Sequence, residues 1–432
     1  MATEVCRIEI GDGVPNIRMS DGHSRLMALV TYRGVPLGDI TIDIPGGIIR
    51  SRYLSQEIAE RFSGRILQLW LKSLNGHNAP KASASIDVIV CTSDRPDDLR
   101  RCLQSLANTS YPRKSAIVVD NGSRCDVTYD IALEYGAHYV REQRRGLDFA
   151  RNAGIGASDA EFLAFADDDV VVDPMWLDNI IQAFQSDPAI ACVTGLTMPL
   201  ELETEAQEMF ERYSSGGMRR GYERRVFDRS NLLPAAAGRV GAGANMAFRS
   251  SVLKQIGGFD EALDCGTPAK AGGDTDMFYR SLRHGYKICY EPRALAWHRH
   301  RRGMDELQNQ LGGYSLAVYA FLTKCLIEYG DLNALVVGYL WFKSHHLKSL
   351  AKHIRGRATM PRSFTAAELI GVLSGPAAYL RSKSYVSHIR LQQGQERRGK
   401  PNRGAMANLE HIRLAGSILA RLVGRAGGRK SA

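Results

Sequence analysis

Three consecutive aspartates, Asp167, Asp168 and Asp169, follow an almost entirely apolar segment at residues 161–166. Such a segment is typical of a strand that is buried on both faces of a parallel sheet. Because side chains alternate along an extended chain, Asp167 and Asp169 are expected on one side and Asp168 on the other. Paired carboxylates are the oxygen ligands that Mg²⁺ or Mn²⁺ takes beside substrate phosphates. The alternative is a solvated acidic turn, since aspartate is common in turns.

Polar residues also follow two other apolar segments. Strands are predicted at 87–91 and 116–119, and they end in the polar clusters 92–95 and 120–123. From residue 86 onward such strands alternate with helical patterns, which predicts a parallel sheet with helices on both faces. Ligands of such sheets bind beyond the carboxyl ends of the strands. The polar clusters are therefore expected at one edge of one sheet, which favours a binding site over solvated turns.

Two later segments carry further candidates. Asp274 lies near the predicted start of a helix, so it is either a functional carboxylate or a helix cap. His298 follows a predicted strand, and a lone histidine is more often structural than a ligand. Residues 238–249 are glycine-rich, which lets backbone amides approach a ligand, but their spacing matches neither a phosphate-binding loop nor the dinucleotide fingerprint. Alone, these segments leave both explanations open.

The rest of the chain carries no obvious chemistry. Residues 200–236 are rich in Glu and Arg with few apolar anchors, and we predict a mobile or inserted segment there. Periodicity and turn residues divide the chain into five predicted regions. These are a small α+β module at 1–74, a linker at 75–85, an α/β domain at 86–304, a helical C-terminal extension at 305–380, and a basic, partly disordered tail with an amphipathic helix at 381–432.

The composition restricts the class of partner. The 432 residues include 56 Lys and Arg against 46 Asp and Glu, a net charge of +10, and much of the excess lies from residue 381 onward. A basic balance permits nucleic acid, anionic lipid or phosphorylated substrates. No nucleic-acid reading motif accompanies it, so nucleic acid is not expected as a partner. The eight cysteines include no Cys-x-x-Cys pair, which favours buried free thiols over disulfides.

No segment is predicted to span a membrane. The longest apolar run, 334–342, is about half of the length that a spanning helix needs, and the start of the chain lacks a signal-like pattern. The sequence therefore predicts a cytoplasmic protein. The stretch 406–423 is basic and amphipathic, which predicts a peripheral contact with the inner face of the cell membrane. A partner-binding or poorly ordered tail is the alternative.

Six short motifs occur in order between residues 86 and 300. They are VIVCTSDRP (88–96), VVDNGS (118–123), GLDFARNAG (146–154), FADDD (165–169), GGDTDM (272–277) and WH (297–298). Together they resemble the family 2 glycosyltransferases, and the resemblance covers half of the chain. It implies that residues 86–304 form a GT-A domain, a Rossmann-like mixed sheet with helices on both faces.

The resemblance implies that five residues bind the nucleotide-sugar donor. Thr92 and Arg95 would lie along the nucleotide, and Asp168 is assigned to the same donor site. Asp120 would hydrogen-bond the uracil or ribose. Arg151 would approach the nucleotide or its pyrophosphate.

The resemblance also implies a metal site and a general base. Asp167 and Asp169 match the Asp-x-Asp element that holds Mg²⁺ or Mn²⁺ across the donor's diphosphate, and His298 matches an additional metal ligand of some relatives. Asp274 matches the base of the inverting members. The chemistry needs such groups, because a cation neutralises the leaving diphosphate and a carboxylate takes the acceptor's proton.

Two positions depart from the family pattern. Gly273 stands where relatives have an acidic residue just before the base, so the choice between Asp274 and Asp276 as the base is open, with Asp274 preferred by register. Asp148 stands where relatives often have serine. Neither departure is explained by the sequence.

The predicted function is therefore an inverting, metal-dependent glycosyltransferase. Its donor would be a nucleotide-diphosphate sugar, most commonly a UDP-sugar in this family, and its acceptor a glycan or a lipid-linked hydroxyl. The alternative is a non-catalytic relative that binds a nucleotide-sugar or glycan. A sugar-phosphate nucleotidyltransferase is disfavoured, because residues 91–97 do not supply the glycine-rich, basic pyrophosphate loop of such enzymes.

Overall fold

The computed structural model describes residues 2–44, 47–74, 84–213 and 218–392. A π-helical turn, Phe342–His346, lies between the helices Asn333–Trp341 and Leu347–Ile354. The elements in chain order are β1 (Ala2–Glu9), β2 (Ile17–Arg18), β3 (His23–Tyr32), β4 (Val35–Asp43), β5 (Ile48–Ile49), α1 (Ser51–Leu74), β6 (Ile86–Thr92), α2 (Pro96–Ala107), β7 (Lys114–Asp120), α3 (Val127–Glu134), β8 (His138–Arg141), α4 (Leu147–Gly156), β9 (Phe162–Asp167), β10 (Val170–Val172), α5 (Trp176–Gln185), β11 (Ile190–Pro199), α6 (Glu205–Tyr213), β12 (Arg225–Phe227), β13 (Asn245–Arg249), α7 (Ser250–Ile256), α8 (Gly273–Arg283), β14 (Lys287–His298), α9 (Met304–Tyr329), α10 (Asn333–Trp341), α11 (Leu347–Ile354) and α12 (Arg362–Gln392).

The first elements form a small α+β module. β3 pairs antiparallel with β4 and parallel with β1, which gives a three-stranded sheet. The predicted hairpin is β3–β4, and α1 packs on it, with Leu54 and Ile58 in the same apolar cluster as Leu26 and Ala28. Residues 75–83 of the predicted linker lie outside the described residues.

The central sheet is mixed, and its strand order is β10-β14-β11-β13-β9-β6-β7-β8, with β12 beside β14. Strands β9, β6, β7 and β8 run parallel, whereas β13 runs antiparallel between β9 and β11. Helices pack on both faces, and two separate apolar clusters fill the two interfaces. The predicted α/β class, with a module before the sheet and helices after it, is confirmed.

The register of the parallel strands aligns their polar ends. Cys91 lies opposite Asp167 across β6 and β9, and Thr92 lies opposite Asp120 across β6 and β7. The carboxyl ends of these three strands therefore meet in one row. The connections are short helical crossovers, which require parallel neighbours to end at the same edge.

The C-terminal region is helical, and α9 packs along α12. The predicted boundary at residue 380 falls inside α12, which continues to Gln392. The amphipathic stretch predicted at 406–423 lies outside the described residues. None of the helices within the described ranges is long and apolar enough to cross a membrane.

The segment 200–236, predicted to be mobile or inserted, contains regular structure. Much of it is ordered, with residues 214–217 outside the described ranges, and it contains α6. Phe210 of α6 is buried against Leu307 and Leu311 of α9 and Phe364 of α12. Its few apolar anchors suffice because α6 packs on helices that are distant in sequence.

Candidate active site

A cluster of possible metal ligands lies at the carboxyl edge of the central sheet. β9 ends in Asp167 and β14 ends in His298. β10 pairs with β14 so that Val170 lies opposite His298, which brings the turn carrying Asp169 against the end of β14. One ligand atom from each of Asp167, Asp169 and His298 lies within 4.8 Å of the others. One cation can contact all three groups after small side-chain rotations.

The surroundings of this cluster favour a divalent cation. Asp169 Oδ1 is buried and has no hydrogen-bond partner among the described residues, and His298 Nε2 lies 3.2 Å from it. Burial lowers the pKa of His298, which keeps the imidazole in its neutral, metal-binding form. An unpaired buried carboxylate oxygen is unfavourable unless a cation or a donor meets it. The donor set therefore fits Mg²⁺ or Mn²⁺.

His298 is oriented by residues that the sequence analysis missed. Its Nδ1 lies 3.3 Å from Nδ1 of His300, whose Nε2 lies 2.8 Å from Oε1 of Glu211. Arg219 pairs with Glu211 at 3.1 Å. A partner on the second ring nitrogen fixes the orientation of a metal-binding histidine. The spacing His298-x-His300 was the available signal, because alternate residues of extended chain share a side.

Asp168 contacts a different set of residues. Thr92 Oγ1 donates to its Oδ2 at 2.8 Å, and Arg95 Nη1 lies 2.6 Å from its Oδ1. The same guanidinium lies 3.0 Å from Asp169 Oδ2, so Arg95 bridges both sides of the acidic turn. Burial raises the pKa of Asp168 to about 7, although Arg95 opposes the shift. The predicted metal ligand Asp169 therefore lies directly beside two predicted donor-binding residues, Arg95 and Asp168.

Asp120 lies at the end of β7, and both of its oxygens are already paired. Its Oδ1 accepts from the Ser123 amide at 2.9 Å, and its Oδ2 accepts from the Tyr139 hydroxyl at 2.8 Å and from Arg141 at 2.5 Å. The side chain is fully buried. A contact between Asp120 and a uracil or ribose therefore requires the donor to share or displace these partners. The role stays a prediction.

Arg151 of α4 lies between two carboxylates. Its Nη1 is 3.2 Å from Asp148 Oδ1, and its Nη2 is 3.4 Å from Asp167 Oδ1. The start of α4 is fixed by Asp264, whose carboxylate accepts from the backbone amides of residues 147–149. A carboxylate is favourable at a helix N-terminus, and here it holds the helix that carries Arg151. Sequence analysis missed Asp264, which lies 116 residues from Asp148.

Asp274 lies on the other side of Arg151 and is half-buried. Its Oδ2 accepts from the Gly243 amide at 2.8 Å, and Arg151 Nη2 lies 3.5 Å from the Gly243 carbonyl. A side chain at Gly243 would come within 3.0 Å of both Arg151 and Asp274, so only glycine fits comfortably. The glycine-rich segment thus approaches the candidate base with its backbone. These contacts connect Asp274 with the Arg151–Asp167 pair.

Asp276 lies in the interior of the protein. It is fully buried, and it pairs with Arg280 Nε at 2.7 Å and with Lys324 Nζ at 2.7 Å. Both cations hold it inside the protein, away from any acceptor. Of the two carboxylates, only Asp274 lies beside the metal-ligand cluster.

Comparison with known proteins identifies the sheet region. Residues 87–257 match the family described as "Glycosyl transferase family 2". They form a family 2 glycosyltransferase domain. The family resemblance seen in the six motifs is confirmed.

The relatives match the chain in part. The pre-mycofactocin glycosyltransferase of Mycobacterium tuberculosis is 28% identical over 253 residues, which are 57% of this chain and 50% of that protein. A glucosyl-dolichyl phosphate glucuronosyltransferase of Haloferax volcanii is 24% identical over 186 residues, 40% of this chain and 56% of that protein. The chain therefore spans about half the length of these relatives.

Among solved structures, a mannosyltransferase from Pyrobaculum calidifontis in complex with GDP-Man and Mn²⁺ is similar to this chain. The sequences are 16% identical, and the TM-score is 0.41 over 83% of this chain and 95% of that one. At this TM-score the likeness says nothing about the ligands of the glycosyltransferase domain described here.

The two departures of the sequence from the family pattern are in contact. A side chain at Gly273 would overlap the carboxylate of Asp148. Asp148 is buried and pairs with Arg151. Burial, together with the neighbouring Asp264, raises the pKa of Asp148 well above its usual range. Asp148 thus occupies the space that a side chain at position 273 would need, so the glycine makes room for the aspartate.

The carboxyl edge of the central sheet gathers nearly all the predicted site residues. Two carboxylates and an imidazole can hold a cation, two guanidiniums can pair with phosphate oxygens, and one further carboxylate is free to face an acceptor. The residues joined by the contacts above are Thr92, Arg95, Arg151, Asp167, Asp168, Asp169, Asp274 and His298. Asp120 ends the neighbouring strand but is paired elsewhere.

Proposed function

We propose that this protein is an inverting, divalent-metal-dependent glycosyltransferase. It moves a sugar from a nucleotide-diphosphate sugar, with UDP as the nucleotide, to a hydroxyl of a glycan or lipid-linked acceptor. The observation that carries the proposal is the convergence of the Asp167, Asp169 and His298 cluster with Asp274 through Arg151. A protein that only binds a nucleotide-sugar has no use for a general base.

Each group has a task in this reaction. Asp167, Asp169 and His298 would hold Mg²⁺ or Mn²⁺, which neutralises charge on the departing diphosphate. Arg95 lies beside this cluster and can pair with phosphate oxygens. Asp274 would take the proton of the acceptor hydroxyl as it attacks the anomeric carbon from the opposite face. One base and one displacement invert the configuration without a covalent sugar–enzyme intermediate.

A screen of nucleotide-sugars tests the donor and the metal together. A ligand that binds only the native state stabilises it and so raises the melting temperature. At a ligand concentration of a hundred times Kd, the free energy of unfolding rises by about 2.7 kcal/mol. We expect a UDP-sugar to stabilise the full chain only when Mn²⁺ or Mg²⁺ is present, and to be turned over under the same conditions. Stabilisation without turnover would favour the non-catalytic alternative. No stabilisation by any nucleotide-sugar would contradict both.

The metal ligands are tested by Asp167→Ala and Asp169→Ala. Each change removes a metal ligand. Losing an outer hydrogen-bond partner of a ligand weakens metal affinity by about 10- to 100-fold, so metal-dependent UDP binding should weaken by more than that. Asp159→Ala, at an exposed position in the loop before β9, is the matched control and should leave the titration curve unchanged. Unchanged curves in the two cluster variants would refute the metal assignment.

A peripheral contact with the inner face of the cell membrane fits the surface of α10 and α11. Exposed apolar side chains recur there at intervals of three and four residues, exposed basic side chains accompany them, and residues 332–361 contain no acid. Such a surface complements an anionic bilayer, and a lipid-linked acceptor agrees with the dolichyl phosphate relative. The apolar residues are Leu332, Leu335, Val336, Tyr339, Leu340, Leu347, Leu350 and Ile354, and the basic ones are Lys343, Lys348, Lys352, Arg355 and Arg357.

Vesicle co-sedimentation of the full chain tests this surface. We expect binding to vesicles that contain phosphatidylserine and little binding to phosphatidylcholine alone. The double variant Leu335→Ser and Tyr339→Ser should lose most of the binding, whereas Leu67→Ser, at an equally exposed position on α1, should keep it. Full binding by the double variant would move the contact to the basic tail and refute the assignment to α10 and α11.

A further inference from the structure

A second cluster of metal-binding side chains lies in the C-terminal helical region. His345 and His346 come from the π-helical turn, and Glu368 comes from α12. One ligand atom of each lies within 4.8 Å of the others. π-helical turns are rare in proteins, and those that occur are often found at functional sites. None of these residues belongs to the glycosyltransferase site.

His346 lacks the partners that a buried imidazole needs. It is fully buried, and neither ring nitrogen has a hydrogen-bond partner among the described residues. Its surroundings are aromatic, with the ring centres of Trp341 at 5.0 Å and of Phe342 at 5.8 Å. An aromatic face can weakly accept one N–H, but it offers nothing to the lone pair of the second nitrogen. Leaving such an atom unpaired costs about 1–3 kcal/mol.

Glu368 is a buried carboxylate without a fixed positive partner. Its side chain is 2% exposed, and within the described ranges its one ion-pair partner is His345, at 3.1 Å. Its Oε1 also accepts from the hydroxyl of Tyr213. A buried carboxylate requires a compensating charge. His345 supplies that charge only when it is protonated.

A purely hydrogen-bonded cluster explains only part of this arrangement. The Tyr213 hydroxyl and His345 Nε2 both contact Glu368, which satisfies the carboxylate oxygen that they share. His346 remains unpaired in that account. Both ring nitrogens of His346 lie inside the protein, and a neutral imidazole keeps a lone pair on one of them. A divalent cation would satisfy that lone pair and the Glu368 charge at once.

We propose that His345, His346 and Glu368 form a second metal site, specific for a divalent transition metal of the Zn²⁺ type. Two imidazoles and one carboxylate are the ligands that zinc takes in three-ligand sites, with a fourth position left for water. His345 is 28% exposed, which provides the route of entry. The Tyr213 hydroxyl orients Glu368, as outer partners of metal ligands do.

The π-helical turn explains how two consecutive residues share one metal. On an α-helix, neighbours in sequence do not face each other. The wider π turn reduces the angle between successive side chains, so His345 and His346 reach the same point. The metal would then fasten the turn between α10 and α11 to α12, and through Tyr213 to α6. The site is therefore expected to stabilise the helical region.

Zinc titration of the full chain tests the proposal. Asp167→Asn and Asp169→Asn are introduced together to remove the other cluster, and zinc is measured by competition with a chromogenic chelator. We expect this double variant to bind one zinc ion per chain and to melt at a higher temperature with zinc than without. Adding His346→Phe, which keeps a ring in the aromatic surroundings, should abolish both effects.

Two further variants protect the test against misfolding. Glu368→Gln keeps the size of the side chain and should also abolish zinc binding, while Tyr213→Phe should weaken it by about 10- to 100-fold. His353→Gln alters a histidine of α11 that bonds Thr365 instead, and it should leave the titration unchanged. No zinc binding by the double variant, or binding that survives both His346→Phe and Glu368→Gln, would overturn the proposal.

Discussion

At the scale of single residues, the start of α8 separates two carboxylates by environment. Asp274 is half-buried, and within the described part of the chain its hydrogen bonds come from the Gly243 amide and from Thr275 of its own helix, so its charge is available to a ligand. Asp276 is fully buried between Arg280 and Lys324. The two aspartates are two positions apart, which turns their side chains to different faces of the helix. Their substitutions should therefore have different consequences.

Asp274→Asn should reduce transfer by about 10²- to 10⁴-fold, because the amide cannot accept the acceptor's proton. Donor affinity should stay nearly unchanged, since Asp274 is not a predicted metal ligand. Steady-state transfer and UDP titration measure the two quantities. Asp276→Asn is the contrast, and it should lower stability in urea while the surviving folded protein keeps transfer. If transfer survives Asp274→Asn and is lost in Asp276→Asn, the assignment of the base is wrong.

The contact between Gly273 and Asp148 predicts strong coupling of two substitutions. Gly273→Ala should destabilise the protein by about 1–3 kcal/mol, because its new methyl group overlaps the Asp148 carboxylate. In a chain that already carries Asp148→Ser, the same change should cost much less, with a coupling energy of about 0.5–3 kcal/mol. Urea unfolding of the two single variants and the double variant measures this. Additive costs would show that position 273 tolerates a side chain beside Asp148.

At the scale of elements, α8 is held in place by the C-terminal helices. Lys324 of α9 is 3% exposed, and its Nζ lies 2.7 Å from Asp276 and 2.6 Å from Asp260. α8 also carries Asp274, so the ion pairs of α9 fix the position of the candidate base. The helical extension therefore supports the glycosyltransferase site directly.

Lys324→Met should destabilise the protein by about 3–5 kcal/mol, because removing one partner of a buried pair leaves an uncompensated charge. Lys287→Met, which breaks the solvent-screened pair with Asp187, is the control and should cost much less. Urea unfolding at pH 7 measures both.

The effect of Lys324→Met should also depend on pH. Burial would raise the pKa of Asp260, but Lys324 outweighs burial and the pKa is lowered. A carboxylate whose pKa is lowered in the folded state stabilises that state at pH values above the ordinary pKa of an aspartate. This stabilisation is lost as the pH falls through the folded-state pKa. The difference between wild type and Lys324→Met should therefore shrink in acid. A difference that grows in acid would contradict this assignment.

At the scale of the whole molecule, the N-terminal module packs on the glycosyltransferase sheet. Met27 and Leu29 of β3 join an apolar cluster with Leu196 and Met198 of β11 and Leu295 of β14. The Thr3 amide also bonds the Leu202 carbonyl. The module thus covers the strands that border the candidate metal cluster, and the two parts are expected to unfold together.

Leu29→Ala tests that shared core. The side chain is fully buried, so its truncation should cost about 2–5 kcal/mol. One cooperative transition should move to lower temperature as a whole, measured by calorimetry and by tryptophan fluorescence. Leu67→Ala, on the exposed face of α1, should shift the transition by about 0.5 kcal/mol or less. Two separate transitions in the wild type would show that the module unfolds independently.

Local pattern predicted much of the fold. The apolar segment before Asp167 and the helical spacing after Pro96 identify β9 and α2 without any knowledge of their neighbours. Parallel connectivity then requires Thr92, Asp120 and Asp167 to end at one edge. The helix α6 within 200–236 was not predicted, because it is stabilised by helices about 100 residues or more away, such as the one carrying Leu307.

The sequence by itself therefore determined the family, the sheet and the residue types at its carboxyl edge. The spacing of apolar residues identifies strands and helices from a short stretch of chain, and helical crossovers between the strands fix their direction. Only the tertiary structure decided which carboxylates are available. Asp276 is neutralised by Lys324, Asp120 by Arg141, and Asp148 fills the space above Gly273. These contacts join elements that are distant along the chain, and a carboxylate's charge and reach depend on such neighbours rather than on its position in a motif.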